Sequence, residues 1–162
     1  MHSFASDPVV TQYTDWGPNS IDDTRAFLVE AAGQATDPQR ANFSLAVVLA
    51  TSGELIGSAA IAVTSVQHKR GEFGFVFHRD FWSQGYETEA GKLLVHFGFQ
   101  SLQLQHISAT CHPNNYASAR VLQKGRPPIR GPYPQPSLRP RELARFAALR
   151  LINGDEHIGE VG

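Results

Sequence analysis

A strand pattern that runs through a loop with one glycine into an amphipathic helix is the feature that most limits how this chain can fold. The strand is Glu72-Phe73-Gly74-Phe75-Val76-Phe77, and the loop centres on Trp82-Ser83-Gln84-Gly85-Tyr86. In the helix expected over 87–102, Ala90, Leu93, Leu94, Phe97 and Leu102 recur at the spacing of one buried face. A strand, a loop with free amides and a helix N-terminus in this order form an anion site that suits a pyrophosphate. Residues 106–111 read as a short strand. Because that strand follows a helix, it can lie parallel to 72–77 through a right-handed crossover.

The residues before this unit supply the rest of a sheet. Ser20 reads as a helix N-cap, and Asp23 three positions on completes a capping-box pattern. The helix runs to about residue 35, where Thr36-Asp37-Pro38 ends it. Apolar runs at 43–50 and 55–63 flank a short turn containing Gly53 and predict a hairpin. The polar turn at 67–71 leads back to the strand at 72–77, which gives a meander of three antiparallel strands. Residues 1–19, broken by Pro8 and Pro18, read as irregular. Asn114 or Asn115 caps a last helix that reaches about residue 124. The character then changes. Six of the ten prolines fall between Pro127 and Pro140, which excludes a central strand there. Residues 141–151 read as a short basic amphipathic helix, and 152–162 as a polar, Gly-rich tail.

Composition removes several function classes. Fourteen basic and 15 acidic residues give a net charge of −1, so bulk electrostatics favour neither nucleic acid nor an anionic membrane as partner. Cys111 is the single cysteine, so no internal disulfide can form, and a reducing cytoplasm is the expected location. No apolar run reaches the roughly 18 residues of a membrane span. There is neither a Gly-Lys-Ser/Thr phosphate loop nor a Gly-x-Gly-x-x-Gly turn. Cys111-His112 lacks the spacing of a zinc site, the seven histidines are scattered, and no metal is expected.

About thirty residues after Trp82-Ser83-Gln84-Gly85-Tyr86-Glu87-Thr88 comes Pro113-Asn114-Asn115-Tyr116-Ala117-Ser118. This pair, in this order and at this separation, resembles the GNAT superfamily of N-acetyltransferases. The likeness is to the branch that includes ribosomal-protein N-terminal acetyltransferases, and it covers about residues 6–124. It implies an α/β fold with a mixed, mostly antiparallel sheet and helices on both faces. It also implies acetyl-CoA as co-substrate.

By that resemblance Gln84, Gly85, Tyr86, Glu87 and Thr88 hold the pyrophosphate. The strand splays from its parallel neighbour at a bulge, and backbone at Phe75, Val76 and Phe77 meets pantetheine and polarises the thioester. Asn115 contacts the CoA arm and Ser118 assists the departing thiolate, with Tyr116 a rival donor. Glu72 is the carboxylate best placed to take the amine proton. Each residue also has a plainer reading. Gly85 suits any strand-to-helix turn, Glu72 a solvated strand edge, and Asn115 and Ser118 a helix cap. Glu87 departs from the small residue usual at its position, since a carboxylate there competes with phosphate.

The resemblance divides the chain into a GNAT-like acetyl-CoA-binding domain at 1–124 and a divergent segment at 125–162. The family's first strand and helix, and its last strands, are expected to be absent. The function implied is acetyl transfer to a primary amine on a protein N-terminus or a small molecule. The alternative is a non-catalytic CoA-binding or interaction protein, or a degenerate acetyltransferase fragment. A homodimer could cover an open sheet edge.

Overall fold

The computed structural model describes residues 1–124 and 149–151. Two short helical turns open it, α1 (His2–Ala5) and α2 (Pro8–Thr11), where irregular chain was expected. Asp7 explains the second: its carboxylate accepts from the Val9 amide at 2.9 Å, and Pro8 takes the first helical position, where no amide is needed. Phe4, Ala5 and Val10 then form a small apolar cluster against Leu55 and Val76.

Helix α3 (Ile21–Ala35) carries the expected capping box in full. The Ser20 hydroxyl accepts from the Asp23 amide at 3.1 Å, and the Asp23 carboxylate accepts from the Ser20 amide at 2.9 Å. These bonds hold the Asp23 carboxyl below its ordinary pKa.

Strands β1 (Asn42–Val48), β2 (Leu55–Ser65) and β3 (Arg70–Phe77) form the antiparallel meander expected from the apolar runs and the short turns between them. Helix α4 (Tyr86–Gln100) crosses over to β4 (His106–Ser108), which pairs parallel with β3. Helix α5 (Tyr116–Lys124) follows. Strand β4 is shorter than the 106–111 expected, because its pairing stops at Ser108.

A fifth strand, β5 (Leu149–Leu151), pairs antiparallel with residues 45–47 of β1, so the sheet order is β4-β3-β2-β1-β5. This corrects the last three residues, 149–151, of the helix expected over 141–151. An apolar-charged-apolar triplet fits a period of two as well as a helix face, and the edge of β1 offers unpaired backbone groups. Residues 141–148, the proline-rich stretch and the tail lie outside the described residues.

The main core lies between the sheet and α4. Phe43, Leu45 and Val47 from β1, Ile56, Ala59 and Ile61 from β2, Phe77, and Ala90 and Leu94 from α4 are all buried there. Leu93, Phe97 and Leu102 pack against this core, so the helical periodicity read from the sequence is the face that is buried. Among the described residues, no helix is long and apolar enough to cross a membrane.

Candidate active site

The site begins where β3 and β4 part. They pair only at Arg70–His106, Gly71–Ile107 and Glu72–Ser108. Beyond Glu72, among the described residues, no strand pairs with that side of β3. The register against β2 runs without interruption from residue 71 to 77, so the strands separate because β4 ends and not through a bulge in β3. That corrects the bulge expected there.

Register parity then decides which backbone groups face the gap. The His78 amide donates to the Ile56 carbonyl at 2.8 Å, and the Val63 amide to the Ala41 carbonyl at 2.7 Å. Antiparallel pairs alternate between bonded and non-bonded. Residues 72, 74 and 76 therefore bond to β2, while the amides and carbonyls of Phe73, Phe75 and Phe77 point the other way. Phe75 so presents an amide and a carbonyl toward the gap. The backbone of Val76 is taken by β2, and its side chain packs on the α1–α2 cluster. Phe77 is buried, and its carbonyl accepts from the Trp82 indole at 2.9 Å, which ties the start of the loop to the end of the strand.

After a single 3-10 turn (Arg79–Phe81), the loop bends through two left-handed residues, Ser83 at φ 62° and Gly85 at φ 92°. A Cβ at Gly85 would meet no neighbouring atom within 4 Å, so glycine is required there by the backbone conformation rather than by space. Such alternation turns successive amides toward one side in an anion-binding concavity. No side chain caps the helix that follows. Gln84 donates its side-chain amide to the Asp80 carbonyl at 2.9 Å, so it braces the loop. Tyr86 stacks edge-on with Phe81 at 6.3 Å and packs on the core. Glu87 is half-buried at the helix N-terminus. Desolvation raises its pKa, and a hydrogen bond from its own backbone amide offsets this in part.

At the start of α5, the Asn115 side chain accepts from the Ser118 amide at 3.0 Å, and its carbonyl accepts from Ala119. The capping role read from the sequence is therefore present. Glu72 is no free strand-edge carboxylate, because Thr110 donates its hydroxyl to it at 2.9 Å.

Between β3, α4, β4 and α5 lies an open cleft of about 540 Å³. Of the residues expected to bind cofactor, Phe75 and Thr88 line it. Glu72, on the strand parity opposite Phe73 and Phe75, does not; nor do Asn115 and Ser118. Phe73, Gly91, Cys111, Ala119 and Leu122 also line it, and sequence reading missed them. Strand alternation could have given Phe73 from Phe75, and helix periodicity Gly91 from Thr88.

A model of the acetyltransferase (GNAT) domain matches residues 1–125. Over 124 residues the chain is 29% identical to the uncharacterized N-acetyltransferase YnaD of Bacillus subtilis (strain 168), covering 76% of this chain and 69% of that protein. It is also 29% identical over 118 residues to the uncharacterized N-acetyltransferase p20 of Bacillus licheniformis, covering 72% of this chain and 65% of that protein. Among solved structures, a GNAT-family acetyltransferase from Bacillus anthracis superposes with a TM-score of 0.66 at 31% identity, over 76% of this chain and 69% of that one. A spermidine N-acetyltransferase from Vibrio cholerae, in complex with CoA and spermine, superposes with a TM-score of 0.65 over 76% of this chain and 70% of that one; at 16% identity this is a likeness of fold.

Proposed function

This chain belongs to the acetyltransferase (GNAT) family, and we propose that it moves an acetyl group from acetyl-CoA to a primary amine by direct attack. The observation that carries the reading is the pairing of an open β3 edge at Phe75 with a loop that turns left-handed at Ser83 and Gly85 and enters the N-terminus of α4 without a side-chain cap. Pantetheine carries amide groups that need backbone partners, and a pyrophosphate needs several donors and a helix N-terminus. The apolar cleft of about 540 Å³ that Phe75 and Thr88 line is of the size that holds such an arm.

Acetyl-CoA supplies an activated thioester whose sulfur is a good leaving group. The loop at 84–88 binds the phosphates through backbone amides. The Phe75 amide donates to the thioester oxygen and stabilises the charge that develops there. The amine nitrogen bonds to the carbonyl carbon as the carbon–sulfur bond breaks. The Ser118 hydroxyl hydrogen-bonds the departing thiolate; Glu72, or a water it orients, accepts the proton lost by the amine, and the thiolate takes its proton from solvent. The products are an amide and the free thiol.

Within the family, the resemblance of Trp82–Thr88 and Asn115–Ser118 to the branch that includes ribosomal-protein N-terminal acetyltransferases supports a protein N-terminus as acceptor, with small amines as the other class. One feature favours a second reading, a binding protein without turnover: Glu87 puts a carboxylate at the helix end where the phosphates would sit.

Isothermal titration with acetyl-CoA tests the cleft. Micromolar binding is expected, and Gly85→Asp should abolish it by placing a carboxylate in the left-handed loop. Release of free thiol on adding an amine then separates enzyme from binding protein. A folded chain that takes up no acetyl-CoA would refute both readings.

A further inference from the structure

The sheet carries a second constellation, on the face away from the cleft. Along 109–112 the chain alternates: Ala109 and Cys111 line the cleft, while Thr110 reaches Glu72 and His112 reaches Tyr13. The Tyr13 and His112 rings stack with centroids 5.2 Å apart and planes 22° from parallel. Thr110 and His112 are two positions apart on one side of the chain, about 7 Å in extended backbone. Glu72 is therefore tied through Thr110 to a segment that carries the two-ring stack two residues on, the parts coming from β3, the segment after β4 and the N-terminal segment.

The stack is held at its base. His112 Nδ1 accepts from the Asn114 amide at 3.2 Å, which assigns the ring proton to Nε2. The His112 carbonyl accepts from the Asn115 amide at 2.8 Å. The imidazole is thus built into the turn that enters α5. Tyr13, by contrast, keeps 36% of its surface open to solvent, and His112 is exposed, so the rims of both rings stay accessible.

We propose that Tyr13 and His112 form an aromatic ledge that selects the acceptor. The ledge favours a primary amine with a flat or branched apolar group a few ångströms from its nitrogen. Glu72 accepts a hydrogen bond from the amine, and the apolar group lies against the ring rims. This rests on the acetyl-transfer reading above and deepens it by naming the acceptor class. Tyr13 is a specificity residue in this scheme, and His112 a positioning residue that holds Tyr13 against the entry to α5.

The test compares phenethylamine with n-butylamine as acceptors in wild type, Tyr13→Phe and Tyr13→Ala, with KM for acetyl-CoA measured in each. Tyr13→Ala should raise KM for phenethylamine about threefold to tenfold relative to n-butylamine, the size of one aromatic contact. Tyr13→Phe, which keeps the stack, should behave as wild type. His112→Phe keeps a ring but loses the bond from Asn114, and should weaken the preference to an intermediate degree. If Tyr13→Ala fails to fold, Tyr13→Leu keeps apolar bulk without the stack and should show the same shift. An active enzyme whose amine preference is unmoved by these variants, or whose KM for acetyl-CoA shifts as much, overturns the ledge while leaving the transfer reading intact. A wild-type chain that transfers to neither amine nor to a peptide N-terminus overturns both.

Discussion

Glu87 illustrates how a single side chain can bias both stability and ligand affinity. Burial lifts its pKa above the ordinary 4.5, so the folded chain holds this proton to higher pH than the unfolded chain does. Its contribution is therefore fully present below the unfolded value and is lost as pH rises through the folded one. At neutral pH the ionised carboxylate is a burden on the native state. Glu87→Gln should raise the urea midpoint at pH 7, and the gain over wild type should shrink as pH is taken down toward 4. Titration of the same variant should show tighter acetyl-CoA binding, since the competing charge at the start of α4 is gone. A stability gain of equal size at both pH values would assign the effect to something other than this ionisation.

Strand β3 depends on how closely β2 approaches it. A Cβ on Gly57 would come within 2.6 Å of the Val76 carbonyl and 2.8 Å of the Phe77 ring. Backbone cannot swing aside as a side-chain tip can, so Gly57→Ala should cost about 1–3 kcal/mol in urea denaturation. It should also weaken acetyl-CoA binding, because the displaced residues carry the edge at Phe75.

How far the sequence revealed this architecture differs by element. The 3.6-residue period of Ala90, Leu93, Leu94 and Phe97 has one physical solution, the apolar runs at 43–50 and 55–63 around a short turn read as a hairpin, and the expected elements are there. The turns of α1 and α2 are four residues each, too short for any period to register. The triplet at 149–151 fits strand and helix patterns alike, and the edge of β1 decides between them. The pairing state of Phe75 and Val76 was not legible at all. It is fixed by the register of β2, about eighteen residues upstream, and nothing within 72–77 encodes it. The contact of Glu72 with Thr110 spans a separation of 38 residues and needs the whole crossover to exist.

Across the whole molecule the sheet is unevenly joined. Seven or eight residue pairs bind each strand of the meander to the next, whereas three bind β4 to β3. Regions with few shared contacts open at lower free energy than the rest of a domain. Amide hydrogen exchange of the free chain should therefore show β4 and α5 exchanging through a partial opening that leaves β1, β2 and β3 protected. Saturating acetyl-CoA should slow exchange at Phe75 and across α5 toward the rate set by global unfolding; equal rates in both halves without ligand would contradict this. On the proposed acetyl-CoA reading, the short seam between β3 and β4 would give the chain a cooperativity set by what fills the gap. Free, β4 and α5 would open from the meander at a three-pair seam. With a molecule bridging the gap as a surrogate strand, the chain would open as one unit.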